Sequence, residues 1–175
     1  GVLLDVAELW EMYVLSVLRK AAAPLAVTHG TREKAATKKL LHSDITGQGL
    51  GTLVPDAILH AGGKVRGVAD AKYKSLHPSA AAPNGPQRED LYQMTAYLGR
   101  YGSPDEEISF GVLAYPHDPA RPSTPQAEQC GPWSLDGGRK VVFTTLPHVA
   151  SEAVAKLRDL IAHMAPERYV YQAQP

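Results

Sequence analysis

Apolar residues recur at helical spacing from the start of the chain. Val6, Leu9, Trp10, Tyr13, Val14, Val17 and Leu18 fall three and four apart, with Asp5 ahead of them as an N-cap. The pattern predicts a helix over roughly 5–22, stopped by Pro24. Two apolar runs further on, TLVPDAILHA and VRGVADAKYK, flank Gly62-Gly63 and predict a β-hairpin over roughly 52–60 and 64–73. Glu89 to Tyr101 returns to helical spacing, and Ser109 to Tyr115 and Lys140 to Thr145 are apolar runs of strand length. Pro147 sits where a last helix starts, carried by Val149, Val154, Leu157, Leu160, Ile161 and Met164.

Between these elements the pattern weakens. Residues 24–50 predict a short helix around 31–41 and then a loop ending in the flexible TGQGLG run. The stretch HPSAAAPNGPQR reads as an extended loop. Residues 116–139, rich in Pro, Gly and polar residues, read as a surface excursion, because too little chain follows to build a second core. The order helix, strand, strand, helix, strand, strand, helix predicts an α/β fold, a mixed central sheet flanked by helices, as one domain over residues 1–175. There is no internal repeat.

Composition narrows the partners only slightly. The 18 basic and 18 acidic side chains cancel, so DNA binding would have to come from local basic patches. The single Cys130 excludes an intramolecular disulfide and fits a reducing cytosol. No apolar run has the length of a membrane span, and no basic segment precedes an apolar one as in a secretory signal. The chain opens on Gly1 and enters a helix almost at once, which leads us to expect the C-terminal part of a longer protein, or a trimmed one.

The candidate chemistry lies in the hairpin. Strand alternation sends Asp70 and Lys72 to one face and Ala71 to the other, and a hairpin can bring Asp56 beside them. Two carboxylates and an amine converging at strand ends can hold a hard divalent cation against a phosphate. The alternative for Asp70 and Lys72 is a solvated ion pair, although charges are rare in so apolar a run as GVADAKYK. Asp56, following Pro55, is otherwise a strand-end cap. Glu8 and Glu11 lie on the flank of the first helix, where an acid is ordinarily only wet. Gln93 and Tyr97 are four apart and share a helix face, so they can support a lysine or a phosphate oxygen; alternatively Tyr92, Met94 and Tyr97 are core and Gln93 is surface. Lys74 is a candidate phosphate contact, as is the basic run Arg19, Lys20, Arg32, Lys34, Lys38 and Lys39, which alternatively forms a solvated face. The seven histidines show no ligand spacing and read as surface or loop residues. There is no P-loop, so a nucleotide-driven motor must be another chain, and no G-x-S-x-G.

The PD…DAK spacing with a following QxxxY resembles the PD-(D/E)xK nuclease superfamily and its RecB-like branch. Five segments in order, DVAELWEMYV, LVPDAIL, VADAKYK, DLYQMTAY and GVLAYP, resemble the McrC subunit of modified-cytosine-specific (McrBC-type) restriction systems over residues 1 to about 116. The resemblance implies Mg²⁺, with Mn²⁺ able to substitute, held by Glu11, Asp56, Asp70 and the Ala71 carbonyl. It implies Lys72 as the catalytic lysine, with Gln93 and Tyr97 in support, and it favours Glu11 over Glu8. It further implies DNA as substrate, a McrB-like AAA+ GTPase motor as partner, a prokaryotic cytoplasmic location, and pairing of two copies for double-strand cleavage. Two other readings remain: a RecB-like exonuclease or repair nuclease, and a catalytically silent scaffold of the same fold.

Overall fold

The structure is a computed structural model and describes residue 3 and residues 5–30, 37–76, 85–101, 110–120 and 131–164. Its elements are α1 (Val6–Ala21), β1 (Ala26–His29), β2 (Lys38–His42), β3 (Gly49–Leu53), β4 (Ala57–Ala61), β5 (Lys64–Ala71), α2 (Arg88–Tyr101), β6 (Phe110–Pro116), β7 (Trp133–Ser134), β8 (Lys140–Leu146) and α3 (Ala150–Met164). Six strands form a mixed sheet in the order β1-β4-β5-β6-β8-β7, parallel at β5-β6-β8 and antiparallel elsewhere. Strands β2 and β3 form a separate two-stranded ribbon.

Helices cover both faces of the sheet. Trp10, Val14, Leu18, Leu157 and Ile161 of α1 and α3 pack on Leu59, Ala69, Val112 and Val142. On the other face Met94, Tyr97, Leu98 and Tyr101 of α2 pack on Ile58, Val68, Leu113 and Phe143. Both faces being dry explains why β5 and β6 read as nearly unbroken apolar runs. Gly111 lets α2 come close, since a Cβ there would lie 2.3 Å from the Met94 sulfur.

Asp5 caps α1 by accepting the Ala7 and Glu8 amides at 2.9 and 3.4 Å. The buried stripe of α1 is Trp10, Val14, Leu15, Val17, Leu18 and Ala21. Val6 and Leu9, expected in it, are exposed.

The β4–β5 hairpin turns through Gly62 and Gly63, both at positive φ, the geometry of a type I′ turn. Its ladder starts at Ala61–Lys64 and His60–Val65, then shifts by one residue between His60 and Leu59. Beyond the shift Leu59 faces Gly67, Ile58 faces Val68 and Ala57 faces Ala69. One further step on this register sets Asp56 opposite Asp70. With no bulge Asp56 would face Ala69 and leave the other side of the sheet.

Several expectations need correction. The helix expected around 31–41 is strand β2 from Lys38 onward; residues 31–36, with Arg32 and Lys34, lie outside the described residues. Pairing of Leu41 with Leu50 and Lys39 with Thr52, closed by the turn at 43–48, outweighs the local helical pattern, and the expected loop becomes β3. Thr52 and Leu53 therefore belong to the ribbon, and the first hairpin strand starts only at Ala57, because Pro55 offers no amide to a ladder. The last helix starts at Ala150; the Pro147 carbonyl accepts the Tyr13 hydroxyl at 2.5 Å instead, and Val149 is exposed. The 116–139 excursion contains the edge strand β7, while residues 121–130, with Cys130, lie outside the described residues.

Candidate active site

The carboxyl end of β5 carries the chemistry. Asp70 is 3 % exposed and faces α2. The chain stays extended past Ala71, because the Lys72 amide still donates to the Ala114 carbonyl at 2.8 Å. Lys72 therefore shares a face with Asp70. Its ammonium contacts Asp70 Oδ2 and donates to Gln93 Oε1 on α2. Asp56 Oδ2 accepts the Ala71 amide at 2.7 Å, which ties the two acids across the strands. Its own carbonyl accepts the Gly30 amide at 3.0 Å; a Cβ on Gly30 would overlap the Pro55 carbonyl.

Burial of these two acids carries a visible electrostatic cost. Burial and the neighbouring Asp56 charge push Asp70 up to about 7, against the opposing pull of Lys72. Asp56 is raised by burial, offset by the Ala71 amide, and raised further by Glu11. Asp70 Oδ2 is buried and, although it touches the Lys72 ammonium, receives no directed hydrogen bond. Excess negative charge with an open lone pair is what a hard cation would relieve.

Tyr97 also faces the acids. Burial, then Asp70 and Asp56, push its hydroxyl well above the usual tyrosine range. That hydroxyl stays protonated and donates to the Val54 carbonyl at 3.2 Å, holding the chain just before Asp56.

Glu11 reaches the same cavity from α1, and its carboxylate is taken by His29 Nε2 at 2.8 Å. Glu8 lines the cavity as well. His29 corrects the expectation of surface histidines: it ends β1 and is 9 % exposed. Its only signal was the short β-branched run AVTH. His60, too, lies in β4 and shares a 2.9 Å hydrogen bond with Thr28. The cavity measures about 520 Å³ and gathers Glu11, Asp56, Asp70, Ala71, Lys72, Gln93 and Tyr97. Among the described residues no three His, Cys, Asp or Glu side chains close a metal centre by themselves, since Glu11 is turned to His29 and Asp70 to Lys72.

The family model described as "McrBC 5-methylcytosine restriction system component" matches residues 1–116, all the elements that build this cavity. The chain belongs to that family. No curated protein matches the chain. Among solved structures, it is similar to a chain of the refined half-complex from the tetradecameric assembly of Thermococcus gammatolerans McrB AAA+ hexamers with bound McrC. The TM-score is 0.57 at 16 % identity, over 93 % of this chain and 34 % of that one, so this chain spans about a third of that neighbour and shares its fold. The McrC-like resemblance of the five segments agrees with both findings.

The candidate phosphate contacts lie elsewhere in the chain. Lys74 is held by Asp90 at 2.7 Å and Gln87 at 2.9 Å, away from the cavity. Lys38 packs over the Tyr101 ring and Lys39 donates to Thr52, both on the ribbon. Arg19 donates to the Val27 carbonyl. Of the alternative that made Tyr92, Met94 and Tyr97 core and Gln93 surface, Met94 and Tyr97 are indeed core, while Tyr92 is exposed and Gln93 half-buried. No helix among the described residues is long and apolar enough to cross a membrane.

Proposed function

We propose that this chain is a metal-dependent DNA endonuclease domain of PD-(D/E)xK type, the cleavage subunit of a modification-dependent restriction system acting against foreign DNA. The observation that carries this reading is the pairing of Asp56 with Asp70 beside a lysine pinned by Gln93. All-oxygen donors in an over-charged pocket suit Mg²⁺, with Mn²⁺ as a substitute. Asp56 and Asp70 would hold it, with Glu11 and the Ala71 carbonyl; that carbonyl leaves β5 on the same edge as the amide bound by Asp56. When bound, such a cation neutralises charge at the scissile phosphate and acidifies water.

The protein's own groups do the positioning. Gln93 and Asp70 fix the Lys72 ammonium in the cavity, where it orients the attacking water and offsets charge developing on the phosphate. The Ala71 amide fixes the Asp56 carboxylate, and Tyr97 braces the backbone leading into it. Residues 1–175 act as one nuclease domain. A GTP-hydrolysing AAA+ partner supplies targeting, a reading supported by family membership and by the McrB hexamers named with the structural neighbour. Two opposed cuts require two such sites, hence two copies.

The test is Mg²⁺-dependent cleavage of DNA by Asp70→Asn and Lys72→Ala proteins, assembled with the motor subunit. Each should lose activity by about a thousandfold or more, with circular dichroism unchanged. Activity retained in both ends the assignment, and a covalently closed circle left uncut by the wild type would point to an exonuclease.

A further inference from the structure

The cavity is acidic, whereas its proposed substrate is a polyanion. Asp5, Glu8, Glu11, Asp56 and Asp70 outnumber Lys72 around it. Attraction for phosphates must then come from a neighbouring element. The β2–β3 ribbon leads directly into Asp56, with only Val54 and Pro55 between. Its 38–53 span carries Lys38, Lys39 and His42 against the single acid Asp44.

The two faces of the ribbon differ. One rests on α2: the Lys38 ammonium lies 5.0 Å from the Tyr101 ring centroid, and Arg100 meets His42 at 3.4 Å. Arg100 also grips the Lys39 carbonyl at 2.8 Å, and the Tyr101 hydroxyl donates to the Leu53 carbonyl at 3.2 Å. The other face looks outward. Lys39 pairs across with Thr52, and Leu41 with Leu50, the two leucines 57 % and 68 % exposed. Ile45 at the tip is 96 % exposed. The tip is nevertheless firmly built: Ser43 Oγ accepts the Ile45 and Thr46 amides at 3.2 and 3.1 Å, and the Gly47 amide, at positive φ, returns to the Ser43 carbonyl.

Large apolar side chains held out on a rigid arm mark a contact surface. The gradation along this arm, cation at the base, leucine pair in the middle and isoleucine at the tip, matches duplex DNA. A two-stranded ribbon fits a DNA groove, lysine meets the phosphate rim, and apolar tips contact base edges or wedge between base steps. Five-residue strands make the arm about 17 Å long, roughly half a duplex turn. We propose that the β2–β3 ribbon is a DNA-groove arm that seats the duplex beside the cavity, with Lys39 on phosphate and Leu41, Leu50 and Ile45 on the bases. The choice of DNA over other polyanions rests on the nuclease reading above.

The test reads binding separately from cutting. Fluorescence anisotropy of a short labelled duplex is measured in Ca²⁺ at low salt with the full chain. Leu41→Ser, Ile45→Ser and Leu50→Ser combined should weaken binding roughly tenfold, with the thermal midpoint unchanged. Lys39→Gln alone should lower the slope of log affinity against log salt by about one, and it guards against misfolding of the triple variant. Undetectable wild-type binding, or wild-type affinity and salt slope in both variants, overturns the proposal. Unchanged duplex affinity with lost self-association in the triple variant also overturns it and assigns the ribbon to a protein partner. The arm stands, and the nuclease reading falls, if the variants bind as expected while the wild type assembled with the motor subunit cuts no DNA in Mg²⁺.

Discussion

Two buried aspartates, each paired with a lysine from the same stretch of chain, meet opposite fates in this protein. Asp90, in the first turn of α2, is 4 % exposed and has a donor on each oxygen: Lys74 at 2.7 Å and the Tyr115 hydroxyl at 2.9 Å. Asp70 is equally buried, yet it faces a second carboxylate, and its Oδ2 has the Lys72 ammonium against it where Asp90 has a separate donor on each oxygen. The first cluster is closed and ties the β5 extension to α2 and β6. The second is left electrostatically incomplete beside a cavity. Completeness, rather than burial or charge, separates a brace from a candidate reactive site.

Substitution breaks the comparison most sharply at the brace. Asp90→Ala leaves Lys74 and the Tyr115 hydroxyl without their acceptor and should cost about 2–3 kcal/mol of unfolding free energy, read by urea denaturation. Asp70→Asn should have the opposite sign in metal-free protein. The folded-state pKa of Asp70 is raised from its ordinary 3.8 to about 7. Its favourable contribution is therefore fully present below the unfolded pKa and disappears as pH rises through about 7. The variant should melt a few degrees above wild type at pH 7 and lose that advantage at pH 4, and Mg²⁺ should stabilise only the wild type. Equal melting of the two proteins at pH 7 would sink the claim that Asp70 is uncompensated. The smallest effect belongs to Tyr97→Phe. Losing the hydroxyl from the Val54 carbonyl should cost about 1 kcal/mol, with only a modest fall in cleavage rate, since that hydroxyl supports backbone rather than reacting atoms.

Much of the fold was legible locally. The periodicities at Trp10 to Leu18, across VRGVADAKYK and across EDLYQMTAY each match an element found within a residue or two, because burial against a sheet imposes those spacings. The grouping of Asp56, Asp70, Lys72, Gln93 and Tyr97 into one cavity was expected and is found. Elements held mainly by distant partners were not legible. Strand β1 is held by β4, well along the chain, whereas β2 and β3 pair across a short turn in a stretch whose local pattern favoured a helix and a loop. His29 was misplaced for the same reason, since its burial and its hold on Glu11 depend on where β1 docks.

The sequence by itself determined which acids and which lysine were available, and the alternation that puts Asp70 and Lys72 on one face. Tertiary structure decided that Asp56 joins them. A two-residue turn continued without interruption would send that carboxylate to the opposite side. The one-residue register shift between Leu59 and His60 restores the parity: side chains alternate with period two, so a single extra residue in the ladder is enough to turn the carboxylate to the other face of a sheet packed on both sides.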